Sequence, residues 1–118
     1  MKDYLKKYKH IDFHITYYQS RIKSFERFLD STPRIQRKTM DQIAYYQSQL
    51  TNLKALKENI EQTVRSVPLP YRDAVYYRYI EGLTFREIAE KLHYSQSSIA
   101  RHIDRGIKIL ETGKNQKK

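Results

Sequence analysis

LTFREIAEKLHYSQSSIARHIDRGIKIL, residues 83–110, decides the fold of this chain, because its apolar positions and capping residues spell two short helices separated by a tight turn. Thr84 with Glu87 three residues on is a capping-box signature, in which each side chain satisfies an orphan backbone amide of a first helical turn, so a helix starts at Thr84. Ile88 and Leu92 then fall one turn apart on an inward face, and Ala89 is small enough to admit a closely crossing helix. His93 and Tyr94 interrupt the pattern. Ser95, a good N-cap, opens a second helix whose apolar positions Ile99, Ile103, Ile107 and Leu110 recur at intervals of four, four and three. With that side buried, the opposite side presents Gln96, Ser97, Ala100, Arg101, Asp104, Arg105 and Lys108.

Two helices so spaced have the pattern of a helix-turn-helix, whose second helix puts its N-terminal residues into the major groove of duplex DNA. The expected base readers are therefore Ser95, Gln96, Ser97 and Arg101. A guanidinium at Arg101 donates twice to guanine and a carboxamide at Gln96 pairs with adenine; the alternative for Arg101 is a phosphate contact or a solvated charge. Ser95 doubles as a helix cap, and Ser97 suits backbone or water. Thr84, Arg86, Tyr94, His102, Arg105 and Lys108 are the candidates for the phosphate shell, which positions the motif without reading sequence. Asp104 on the same surface repels phosphate unless it orients Arg101 or Lys108. Tyr76, Tyr77 and Tyr79 precede the motif and could stack on bases, but two of them with Val75, Ile80, Leu83 and Ile88 make a better core.

The longer stretch LPYRDAVYYRYIEGLTFREIAEKLHYSQSSIARHIDRGIKIL, residues 69–110, resembles region four of bacterial sigma factors, especially the short extracytoplasmic kind. The resemblance runs without a gap: LP opening a helix, Glu81 and Gly82 ending it, EIA with Leu92 after two residues, and a Ser-started recognition helix. With Tyr94 and Ser95 before that helix, the pattern is also similar to phage-encoded transcription regulators of the RinA and ArpU type. His93 stands where many such motifs place a glycine. The resemblance implies a sequence-specific regulator of phage or mobile-element genes, an activator, with recognition helix 95–110 in the major groove. Nothing in residues 1–67 resembles the promoter-melting module of a full sigma factor.

Composition agrees with a polyanion partner: the formal net charge is +10, with 13 basic and 7 acidic side chains in residues 1–67 and 10 and 6 in residues 68–118. Affinity of this kind comes from counterion release; the bland alternative is a solvated basic surface. Cysteine is absent, which leaves no disulfide or thiolate metal site. No long apolar run or signal peptide is present, so the expectation is a cytoplasmic protein with no membrane partner. His10 and His14 lie one turn apart, but without a third convergent ligand they make no metal site. There is no Gly-rich phosphate loop and no nucleophile motif, and the expectation is no enzyme, no cofactor and no small-molecule substrate.

The expected fold is all-α. Strand signals are missing, and the helix breakers Pro33, Pro68, Pro70, Gly82, Gly106 and Gly113 fall where helices should end. In the N-terminal half Tyr4, Tyr8, Ile11, Ile15, Tyr18, Ile22, Phe25 and Leu29 form an unbroken heptad seam. A second pattern runs through Ile43, Tyr46, Leu50, Leu53, Leu56, Ile60 and Val64, with Thr39 and Gln42 as a capping box if the helix begins there; residues 32–39 are helix or loop. The expectation is a long antiparallel hairpin of residues 3–30 and about 39–66. Residues 1–67 would serve oligomerisation or partner binding, residues 68–112 DNA binding, and residues 113–118 would be a disordered basic tail. Tyr8, Ile11, Ile15, Tyr18, Ile22 and Phe25 are the candidate oligomerisation residues, and Phe13, Tyr17, Phe28 and Tyr45 outside the seam ask for a further packing partner. A homodimer reading two half-sites fits best, with RNA polymerase as the other candidate partner. Two different functions stay open: a phage terminase small subunit that marks DNA for packaging, and an interaction protein that binds RNA polymerase and never reads DNA.

Overall fold

In the computed structural model the chain is described over residues 1–116, with side chains through residue 113. It is all-helical, with no strand among the described residues. The elements are α1 (Lys2–Lys6), α2 (Tyr8–Glu26), α3 (Pro33–Arg65), α4 (Tyr71–Tyr79), α5 (Phe85–Leu92) and α6 (Gln96–Gln116). They divide into two compact units, one made of Met1–Lys9 with Glu58–Lys118 and one made of His10–Lys57. The boundary expected at residue 67 therefore falls inside a unit: the first nine residues and the end of α3 pack with the helix-turn-helix.

The His10–Lys57 unit is a helical hairpin. Its arms are antiparallel: Asp12 near the start of one meets Lys57 at the end of the other at 2.8 Å. Between them the Tyr46 ring lies 5.5 Å from Tyr18 and stacks 6.0 Å from Phe25, while the Arg21 guanidinium sits 5.0 Å over Phe25. The first arm is shorter than the heptad predicts. Lys7 separates α1 from α2, and α2 stops at Glu26, where Phe28 and Leu29 amides turn back onto the Phe25 and Glu26 carbonyls. The second arm starts earlier than Thr39, at Pro33, whose missing N–H and fixed φ suit a first helical position. Thr39 is thus interior to α3 and caps nothing; its hydroxyl donates to the Ile35 carbonyl at 2.8 Å.

The unit that carries the helix-turn-helix has a core drawn from every one of its helices. Leu5 of α1, Ile60 and Val64 of α3, Val67 in the segment after it, Ala74 and Val75 of α4, Ile88 of α5, and Ile99, Ile103 and Ile107 of α6 are all buried. Each fully buried Val, Leu or Ile among them contributes roughly 1.5–3 kcal/mol through removal of apolar surface from water. α6 packs on both α4 and α5. Gly106 lies within α6 instead of ending it, as does Gly113. At Gly106 an added Cβ would stand 2.7 Å from Val75 Cγ2 and 3.4 Å from Val67 Cγ1, so the bare backbone is what lets α4 cross so closely. α6 continues to Gln116, past the start of the expected tail; Lys117 and Lys118 lie outside the described residues. Among the described residues no helix is long and apolar enough to cross a membrane.

Candidate nucleic-acid interface

The geometry of the motif is built from three local devices. At the start of α5 the Glu87 amide donates to Thr84 Oγ1 at 3.2 Å and the Thr84 amide donates to Glu87 Oε1 at 2.9 Å, a complete capping box. The Thr84 backbone amide first, and the Thr84 side-chain hydroxyl after it, hold the Glu87 carboxyl below the usual glutamate range. At the end of α5 His93 adopts φ 61 and ψ 41, the left-handed conformation in which glycine is usual, and the His93 and Tyr94 amides both close on the Ala89 carbonyl. His93 therefore performs the turn in a residue type that visits this region more often than most non-glycine residues. Ser95 then caps α6, its Oγ accepting from the Ser98 amide at 3.1 Å.

The backbone conformation at His93 sets a test. His93→Val should destabilise the protein by about 1–3 kcal/mol, because a β-branched residue is strained there, whereas His93→Gly should be neutral or mildly stabilising. Thermal melts of the two variants check this; equal losses would mean that an imidazole contact matters more than the turn.

These devices leave the expected readers on one face. Ser95, Gln96, Ser97 and Arg101 are exposed, while Ile99, Ile103 and Ile107 on the other side of α6 are 4 % exposed or less. Arg101 is steadied from within the helix, its Nη2 donating to Ser98 Oγ at 3.4 Å. Arg101, Asp104, Arg105 and Lys108 rim a shallow depression along α6. Of the expected phosphate shell, Arg86, Arg105, Lys108 and Tyr94 are exposed, with Arg86 3.4 Å from Glu90 on the next turn. Thr84 is exposed but occupied by the cap.

His102 is placed differently from the rest. Its ring sits edge-on to both Tyr71 and Tyr94, with centroids 5.5 and 5.0 Å away, and its Nδ1 is buried without a protein partner. The His102 ring thus lies against both tyrosine rings beside α6. The tyrosines before the motif divide as packing requires: Tyr77 and Tyr79 are half-buried and Tyr76 is exposed. The Lys91 ammonium lies 5.2 Å over the Tyr77 ring, and Arg78 lies 4.7 Å over Phe85 while donating to the Leu83 carbonyl at 3.0 Å. Sequence reasoning missed Lys2, whose Nζ lies 3.6 Å from Asp104 on the exposed side of α6. Nothing in the local pattern of either residue announces that pair.

The heptad residues are partly covered within the chain. Tyr8 donates to Glu61 at 2.6 Å, Ile11 is 2 % exposed, and Ile15, Tyr18, Ile22 and Phe25 are half-buried. Phe13, Tyr17, Phe28 and Tyr45 are the exposed ones, Phe13 at 70 %. Among the described residues no three His, Asp or Glu side chains converge as metal ligands.

Residues 57–110 match the family model for sigma-70 region 4. The match takes in the end of α3 as well as α4, α5 and the packed part of α6, and spans just under half of the chain. No curated protein and no solved structure gives a significant match. The C-terminal portion is thus a helix-turn-helix similar to sigma-70 region 4, which supports a DNA-binding regulator and points away from an enzyme.

Proposed function

We propose that the protein is a sequence-specific double-stranded DNA-binding transcription regulator in which the N-terminal turns of α6 enter the major groove. The observation that carries this is the capped α5–turn–α6 pair, which buries the isoleucine stripe of α6 and leaves Gln96, Ser97 and Arg101 exposed at its beginning. The region 4 match over residues 57–110 supports it independently. In this reading Gln96 and Arg101 read base edges, Ser95 and Ser97 assist at the groove, and Arg86, Tyr94, Arg105 and Lys108 hold phosphates. The resemblance to phage-encoded regulators of the RinA and ArpU type favours an activator of phage or mobile-element genes.

The protein acts as a homodimer on two half-sites in this proposal, since one helix-turn-helix reads few base pairs. The exposed Phe13, Tyr17, Phe28 and Tyr45 supply apolar surface for the second copy. Mass measurement in solution separates this from a packaging protein, for which a ring of many copies is expected.

The deciding experiment is selection of bound duplexes from a random pool, followed by the same selection with Arg101→Ala. The variant should lose about 1–3 kcal/mol on the selected site and relax preference at a single base pair. Enrichment of no sequence by the native protein would sink the reading and favour a protein-binding role.

A further inference from the structure

The helix-turn-helix unit includes a segment outside the motif, and its charges point to what that segment does. α1 is tied to α6: Leu5 is fully buried in the unit, and Lys2 reaches Asp104. Asp104 is the acidic residue that would otherwise oppose phosphate on the recognition face, one turn from both Arg101 and Lys108. The depression rimmed by Arg101, Asp104, Arg105 and Lys108 shares Asp104 and Lys108 with a second one that is lined also by Met1, Lys2 and Asp3. One helical turn after Lys2, Lys6 lies with Lys9, Arg78 and Tyr79 around a third depression. Tyr79 lines that third depression. Burial raises its pKa above the ordinary tyrosine value, against the pull of the Arg78 charge, and Asp104 is close enough to raise it further. Lys6 and Lys9 are exposed, and Arg78 is held in place by the Leu83 carbonyl and the Phe85 ring.

We infer that α1 and the second residue of α2 are part of the DNA-binding surface: Lys2 neutralises Asp104, and Lys6 and Lys9, beside Arg78, bind the phosphate backbone of the same duplex that α6 reads. The inference rests on the reading that α6 faces duplex DNA. Its ligand is a run of phosphates, so its signature is the ionic-strength dependence of binding. Each phosphate neutralised contributes about 0.9 to the slope of log Kobs against log salt.

The test titrates a fluorescent mixed-sequence duplex with the full chain across a range of KCl concentrations. The double variant Lys6→Gln with Lys9→Gln should lower the slope by about 1.8 while leaving base preference in the selection above unchanged. Both positions are exposed, so thermal stability should hold within about 0.5 kcal/mol. A control variant, Arg34→Gln with Lys38→Gln, removes the same net charge from exposed positions of the hairpin unit and should leave the slope alone. An unchanged slope in the Lys6 and Lys9 variant, or an equal fall in the control, overturns the inference. If the slope falls with Arg105→Gln and Lys108→Gln only, α6 still faces DNA and α1 does not. Failure of the native protein to bind the duplex at all overturns both.

Discussion

Ile99→Ala is expected to lower the unfolding free energy by about 2–5 kcal/mol, the range for truncating a fully buried isoleucine to a methyl group. Ile99 is 0 % exposed and begins the buried stripe of α6, three residues after the helix starts at Gln96. The loss has two parts, the transfer free energy of the deleted carbons and the cavity left where α6 packs on α4 and α5. Against a total stability of about 5–15 kcal/mol this is a large fraction. Urea denaturation followed by circular dichroism should show a lower midpoint with an unchanged slope. Because the side chain lies on the opposite face from Gln96 and Arg101, DNA selected by the folded fraction should keep its sequence preference. A shifted preference would mean that α6 has tilted, and that burial and reading are less separable than the geometry suggests.

Gly106→Val is the second large effect, and it runs through excess volume where Ile99→Ala runs through a void. The Cβ alone would lie 2.7 Å from Val75 Cγ2, and Val75 is 0 % exposed with no route of retreat. Overpacking of this kind typically costs 1–3 kcal/mol, and the two further methyl groups of valine place it at about 3 kcal/mol or above. Valine gains little from replacing glycine in a helix, so propensity does not offset the clash. Gly113→Val, in the same helix with nothing within 4 Å of its added Cβ, is the matched comparison. Thermal melts should separate the two widely. Similar melting temperatures would show that α4 can move away from α6 at low cost.

Gly106 also shows what a sequence conceals. A glycine serves a helix end through its backbone freedom or a helix crossing through its missing side chain, and only the neighbour decides which. The pattern favoured an end, and Val67 and Val75 make it a crossing. The motif itself was legible because its determinants are local: Thr84 with Glu87, Ser95, and the isoleucines of α6 all act within one or two turns. His93 looked like a departure from the motif and turns out to adopt the left-handed conformation that the missing glycine would supply. Pro33 breaks the first arm, as a helix breaker should, and itself opens α3, although Thr39 offered a competing start.

What the sequence hid lies in contacts between distant segments. Leu5 falls outside the heptad that begins at Tyr4, yet it is fully buried, because the first nine residues pack with Glu58–Lys118, far away in sequence. The Lys2–Asp104 pair has no local signal in either residue. His102 was grouped with the phosphate shell on the strength of its position, and the rings of Tyr71 and Tyr94 take it. Surface charges such as Arg105 and Lys108 were easier to place, since an exposed helix face follows from the buried one.

The division of the chain into Met1–Lys9 with Glu58–Lys118, and His10–Lys57, bears on how the protein is made. Residues 10–57 can close their hairpin from neighbouring sequence as soon as they emerge from a ribosome. The helix-turn-helix unit cannot, because Met1–Lys9 must wait for Glu58 and the residues after it, and that long closure carries an entropic cost that grows slowly with loop length. Synthesis therefore delivers a finished hairpin well before a finished helix-turn-helix unit. Shortening or lengthening the hairpin should alter folding rate more than final stability, as expected where contacts join segments remote in sequence.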